Sequence, residues 1–107
     1  MTYLNLGGSY QLTDFSFLEH CPHLTHLSLN DCNQITDVSF LASCPELTHL
    51  EVRSCRQITD LSFLGRCSKV TYLDLGSCRR ITDLSFLQHC PNLKSYKDCD
   101  GRMVQIR

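Results

Sequence analysis

The chain repeats itself every 23 residues. Residues 1–23, 24–46, 47–69 and 70–92 align without a gap, and residues 93–107 form a shorter remnant. The second and fourth units read LTHLSLNDCNQITDVSFLASCPE and VTYLDLGSCRRITDLSFLQHCPN. A unit this short cannot bury an apolar face alone. The units must stack, and equal units stacked in order make a solenoid in which each rung touches only its neighbours. Residues 1–107 therefore read as a single domain with four full rungs and a degenerate fifth over 93–107.

Each unit has two parts. The first alternates apolar and polar residues, as around Leu24, Leu27 and Leu29, which predicts a strand with one buried face. The second is ITDxSFLxxC, whose spacing suits about two turns of α or 3₁₀ helix. Asp37 or Ser39 is placed to cap that helix. Pro22, Pro45 and Pro91 end it, because proline cannot donate and disfavours helical geometry before it. The architecture expected is α/β, with a parallel sheet on one side and short helices on the other. Its core columns are Leu4, Leu27, Leu50, Leu73; Leu6, Leu29, Val52, Leu75; Leu12, Ile35, Ile58, Ile81; and Leu18, Leu41, Leu64, Leu87. Phe17, Phe40, Phe63 and Phe86 are expected to form an aromatic column on the helical side.

The pattern LxxLxLxxCxxITDxxxLxxCPxL resembles the cysteine-containing leucine-rich repeats best known from F-box proteins of ubiquitin ligases. The resemblance covers residues 1–92, and nothing in the chain resembles an F-box. It implies a leucine-rich repeat solenoid whose strands line a concave face, and a protein partner on that face.

Seven of the eight cysteines fall on two repeat positions. Cys32, Cys55 and Cys78 share one; Cys21, Cys44, Cys67 and Cys90 share the other. Their spacings of 11 and 12 residues come from the repeat, not from a compact metal motif. They are expected to pack as small buried residues. Cys99 is off-register and is the thiol to test for reactivity.

Residues between the buried leucines should face outward. The candidate partner-binding set is Tyr3 and Asn5; His26 and Asn30; His49, Glu51 and Arg53; and Tyr72 and Asp74. Ser95 and Lys97 extend it onto the fifth rung. Tyrosine and arginine are enriched at binding hot spots. A competing reading is a consensus-like or engineered scaffold with no evolved partner. Another uses the shared position of His26 and His49, beside Glu51, to bind a metal or sense pH. Catalysis has no support. The Thr-Asp pairs recur in every unit, which makes them architecture, and no nucleophile–base constellation or phosphate loop is legible. The expectation is a non-enzymatic protein with no cofactor.

Ten Lys and Arg against eleven Asp and Glu give a net charge of −1. That lacks the basic excess of a nucleic-acid binder. No apolar run reaches the ~20 residues that cross a bilayer, and the N-terminus lacks the pattern of a signal peptide. An intracellular, cytoplasmic protein with reduced cysteines is expected. The near-zero total conceals a split: residues 1–52 hold six acids and no Lys or Arg, while residues 53–107 hold ten bases and five acids. Arg56, Arg79, Arg80 and Arg102 are expected to form a basic ridge. With no obvious polar caps, both ends read as bare, which leaves two readings open: self-association through the ends, or capping within a larger assembly or longer array.

Overall fold

A rung satisfies its strand's hydrogen bonds only by pairing with the next rung, and the repeat places identical positions opposite each other. The computed structural model describes residues 2–106. Its elements alternate as β1 (Tyr3–Asn5), η1 (Ser16–His20), β2 (His26–Ser28), η2 (Ser39–Ser43), β3 (His49–Glu51), η3 (Ser62–Arg66), β4 (Tyr72–Asp74), η4 (Ser85–His89), β5 (Ser95–Lys97) and β6 (Met103–Gln105), where η denotes a 3₁₀ helix. The strands form one sheet in chain order, and β1 to β5 are parallel. The pairing keeps the repeat register: Tyr3 faces His26, His26 faces His49 and His49 faces Tyr72. Among the described residues no helix is long and apolar enough to cross a membrane.

Each helix is a five-residue 3₁₀ piece. Its start is set by the aspartate of the ITD motif. The amides of Ser16, Ser39, Ser62 and Ser85 donate to Oδ1 of Asp14, Asp37, Asp60 and Asp83 at 2.8–3.0 Å. Aspartate, not serine, is thus the capping side chain. These bonds hold the carboxyls of Asp14, Asp60 and Asp83 below the usual carboxylate range.

The strand leucines fill the core as expected: Leu27, Leu50 and Leu73 are buried, as are Leu29, Val52 and Leu75. Leu4, Leu6, Leu12 and Leu87 are half-buried against the cluster. Two further columns complete the interior. One is Leu24, Leu47, Val70 and Leu93, at the entry to each strand; the other is Phe15, Val38 and Leu61, with Leu84 half-buried, just before each helix. The aromatic column is not continuous. Phe40 and Phe86 are buried and Phe63 is half-buried, whereas Phe17 is 43% exposed. Leu18, Leu41 and Leu64 take the core slot under their helices, which leaves phenylalanine on the flank, where its cover depends on the adjacent rung.

All eight thiols are free, and six are buried. Each buried thiol reaches a carbonyl of the preceding rung. Cys32, Cys55 and Cys78 approach the oxygens of Leu6, Leu29 and Val52 at 3.2, 2.8 and 2.6 Å. Cys44, Cys67 and Cys90 approach those of Leu18, Leu41 and Leu64 at 3.7, 3.3 and 3.6 Å. Burial raises the thiol pKa, because the thiolate cannot be solvated there; it pushes Cys55 and Cys67 up to about 12.

The C-terminal end differs from the bare rung expected. Residues after Lys97 turn back, and β6 pairs antiparallel with β5, Tyr96 opposite Val104. The turn is built by Asp98, whose Oδ1 accepts from the amides of Asp100 and Arg102, both at 2.9 Å. Gly101 follows at φ +77°, where a side chain would be strained. An Asp-Gly step of this kind closes a hairpin, so β6 covers the edge of β5.

Two outcomes follow from this packing. Leu50→Ala, at a fully buried position, should cost about 2–5 kcal/mol, read as a lower urea midpoint by circular dichroism. A thiol reagent should titrate Cys21 and Cys99, the two partly exposed cysteines, in the native protein and all eight in denaturant; rapid native modification of Cys55 or Cys67 would contradict the packing.

Candidate binding face

The register brings one residue from each of four rungs into a row across the sheet. The rings of His26 and His49 are stacked, with centroids 4.1 Å apart and planes 15° apart. His49 and Tyr72 stack at 5.7 Å, and Tyr3 lies tilted against His26 at 5.7 Å. The row runs tyrosine, histidine, histidine, tyrosine. Together with Ser28 and Glu51 it lines an open groove of about 240 Å³.

The imidazoles are fixed from below by threonine. Oγ1 of Thr25 and Thr48 lies 2.9 Å from Nδ1 of His26 and His49 respectively. The same hydroxyls donate to the carbonyls of Thr2 and Thr25, at 3.0 and 3.1 Å. A hydroxyl has one proton. If it went to the ring, two oxygens would face each other lone pair to lone pair. We therefore assign Nδ1 as the donor to threonine in both rings. In the neutral form Nε2 is then a bare acceptor on the other side of each ring, and both rings line the groove.

This geometry disfavours a metal on the pair. Near-parallel rings send their in-plane lone pairs in the same direction, so the lone pairs do not converge on one ion. Among the described residues no group of three or more His, Cys, Asp or Glu side chains is placed to hold a metal. Proton affinity is nonetheless affected. Burial lowers the pKa of His49, the neighbouring His26 adds to the effect, and Glu51 opposes it.

Of the candidate residues, Tyr3, His26, His49, Glu51 and Tyr72 come together in this groove. Asn5 and Asn30 are turned to local tasks: Oδ1 of Asn5 accepts the Gly7 amide at 2.8 Å, and Oδ1 of Asn30 accepts the Arg53 amide at 2.9 Å. Asp74, expected to face outward, is only 2% exposed. Its Oδ1 accepts the Gly76 amide at 3.0 Å, and Arg53 Nε stands 3.7 Å from Oδ2. Gly76 makes this closure possible, since a Cβ there would sit 3.4 Å from Arg53 Cγ and 3.2 Å from Asp74 Oδ1.

Arg53, Asp74 and Lys97 line a second, polar hollow with Arg79 and Asp100. Arg79 pairs with Asp100 at 3.2 Å, and its Nη1 also lies 3.8 Å from Cys99 Sγ. Arg80 donates instead to Gln57 Oε1 at 3.1 Å. Arg79 and Arg80, two of the four arginines of the expected ridge, thus have separate partners. Sequence reasoning overlooked Thr25 and Thr48, which orient the imidazoles. The legible signal was a threonine directly before the ring position in every full unit, at Thr2, Thr25, Thr48 and Thr71.

The family model described as leucine rich repeats (two copies) matches residues 1–43, 22–66 and 45–89. No curated protein matches. Solved structures similar to the chain include two from Listeria monocytogenes. An internalin (inlF) superposes with a TM-score of 0.72 at 24% identity, over 88% of this chain and 26% of that one. An internalin C2 does so with a TM-score of 0.52 at 27% identity, over 87% of this chain and 49% of that one. The chain spans about a quarter and a half of these structures. The likeness to the first is one of fold.

A lowered His49 pKa has a definite sign in stability. Below the ordinary value of 6.5 the unfolded imidazole takes a proton before the folded one does, so the contribution is complete above that value and is lost as pH falls. Between about pH 7.5 and 5.5 the native protein should therefore lose more stability than His49→Gln, as read by urea midpoints; parallel pH profiles would contradict this.

Proposed function

This chain belongs to the leucine-rich repeat family, whose members generally mediate protein–protein interaction, and we propose that it binds a protein partner through the sheet face. The observation that carries the reading is the Tyr3–His26–His49–Tyr72 row. Four rings held in register offer a rigid amphipathic strip, with little side-chain entropy left to lose on binding. We read the module as non-enzymatic and without a cofactor, with the repeats as a support for that strip. The cysteine columns fit the cysteine-containing kind of repeat. Six buried thiols with carbonyl partners also suit a reducing, intracellular compartment.

The test compares proteins captured from a cross-linked cell extract by the native chain, by Tyr72→Ser and His49→Ser, and by Arg66→Ser on η3 as a control. Circular dichroism first establishes that each variant is folded. One captured protein should fall about tenfold or more with either sheet-face variant, as for loss of a hot-spot residue, and be unchanged with the control. Equal capture by all four chains, or no protein enriched by the native chain, would overturn the reading and favour a scaffold without an evolved partner.

A further inference from the structure

The row of rings has a chemical polarity that points to one kind of partner group. In their neutral form both imidazoles use Nδ1–H toward threonine, which leaves Nε2 as the acceptor of two rings that line the groove. Glu51 adds a carboxylate in the same groove. The groove thus combines ring acceptors with a carboxylate, and among the described residues its lining includes no Lys or Arg. The surrounding charge agrees: residues 1–52 hold six acids and no Lys or Arg, and a solenoid keeps that stretch together in space. Arg53, the first cation after it, lies across Gly76 toward Asp74.

Resting on the sheet-face reading, we propose that the His26–His49 pair and Glu51 receive a cationic side chain, arginine or lysine, from an extended segment of the partner. A guanidinium fits the geometry because its planar fork donates in several parallel directions. It can address two lone pairs that do not converge, or one lone pair and a carboxylate. Tyr3, 64% exposed, and Tyr72 close the row at either end. An acidic side chain would require an imidazolium, and both the burial of His49 and its closeness to His26 work against that charge.

The titratable groups facing the pair are Tyr3 from β1, Glu51 from β3 and Tyr72 from β4, with Asp74 engaged by Arg53 beyond them. Protonation of a ring of the pair turns its acceptor into a donor and weakens the site.

The experiment follows the imidazole ring signals of the full chain by NMR while blocked tripeptides are added: acetyl-Gly-Arg-Gly-amide, acetyl-Gly-Lys-Gly-amide and acetyl-Gly-Glu-Gly-amide. At about pH 7.5 the arginine and lysine peptides should move the His26 and His49 signals saturably, and the glutamate peptide should not. At about pH 5.5 the arginine peptide should bind more weakly, since a protonated ring offers a donor in place of its acceptor and repels the cation. Glu51→Gln should weaken it at neutral pH without altering the circular dichroism spectrum. Equal binding of the glutamate peptide, or no movement of either histidine up to the solubility of the arginine peptide, would overturn the proposal. The two failures are separable. Capture that depends on Tyr72 and His49 without arginine binding sinks the cation alone. Arginine binding without such capture sinks the protein-recognition reading and leaves the cation site standing.

Discussion

One carbonyl oxygen per rung holds the stack in register. The oxygen of Thr2 accepts the amides of Thr25 and His26 at 2.8 and 3.0 Å and the Thr25 hydroxyl at 3.0 Å. The oxygen of Thr25 does the same for Thr48 and His49, at 2.8, 3.0 and 3.1 Å. That of Thr48 repeats the arrangement with Thr71 and Tyr72. Strand pairing, rung spacing and ring orientation are thereby coupled at one point. The hydroxyl that locks onto the preceding rung is also the one that receives the imidazole. Where the next residue is Tyr72 rather than histidine, the ring has no Nδ1 to tie down, and the tethered part of the row ends.

The thiol columns solve a related problem on the other side of the strand. The carbonyls concerned, in the corner after a strand or in the 3₁₀ helix, each accept one backbone amide, as Leu29 O does from Cys32 at 3.1 Å, and the thiol of the next rung reaches the same oxygen, which has a second lone pair. Cysteine is small enough for the interior and still carries a weak S–H donor. Serine would reach the carbonyl but bring a more strongly hydrated group inside; alanine would fit and leave the oxygen with its backbone amide alone. The reach of 26 residues from each buried thiol to its acceptor is one repeat plus three. This second tie between rungs follows the same arithmetic as the first.

Much of this was legible because a gapless repeat turns position in the sequence into position in space. The strand columns, the buried cysteines and the neighbourhood of His26 and His49 all follow from counting by 23. What escaped lies where direction matters more than spacing. The variable residue of ITDx is Phe15, Val38, Leu61 or Leu84, always apolar, yet its inward turn depends on the aspartate-capped 3₁₀ geometry. The phenylalanines looked like a column by spacing but sit on the flank of their helices. Asp74 has an outward-facing position and is roofed over, because Gly76 allows Arg53 to cross it. The terminal hairpin broke the period, so counting was blind to it. Its signal was the Asp100-Gly101 step, a local turn cue inside a chain read for its long-range pattern.

Because contacts between elements run from each rung to the next, the rung is also the unit by which such a chain can change. Removal or duplication of a whole 23-residue block would leave every remaining interface of the familiar kind, with threonine meeting threonine and thiol meeting carbonyl. Architecture is therefore nearly indifferent to the number of rungs. The row of rings is not. Loss of the block containing His49 would bring His26 against Tyr72, and duplication of it would put three imidazoles in file. Selection for binding would thus act on the order of the rungs, in a fold whose stability constrains that order only weakly.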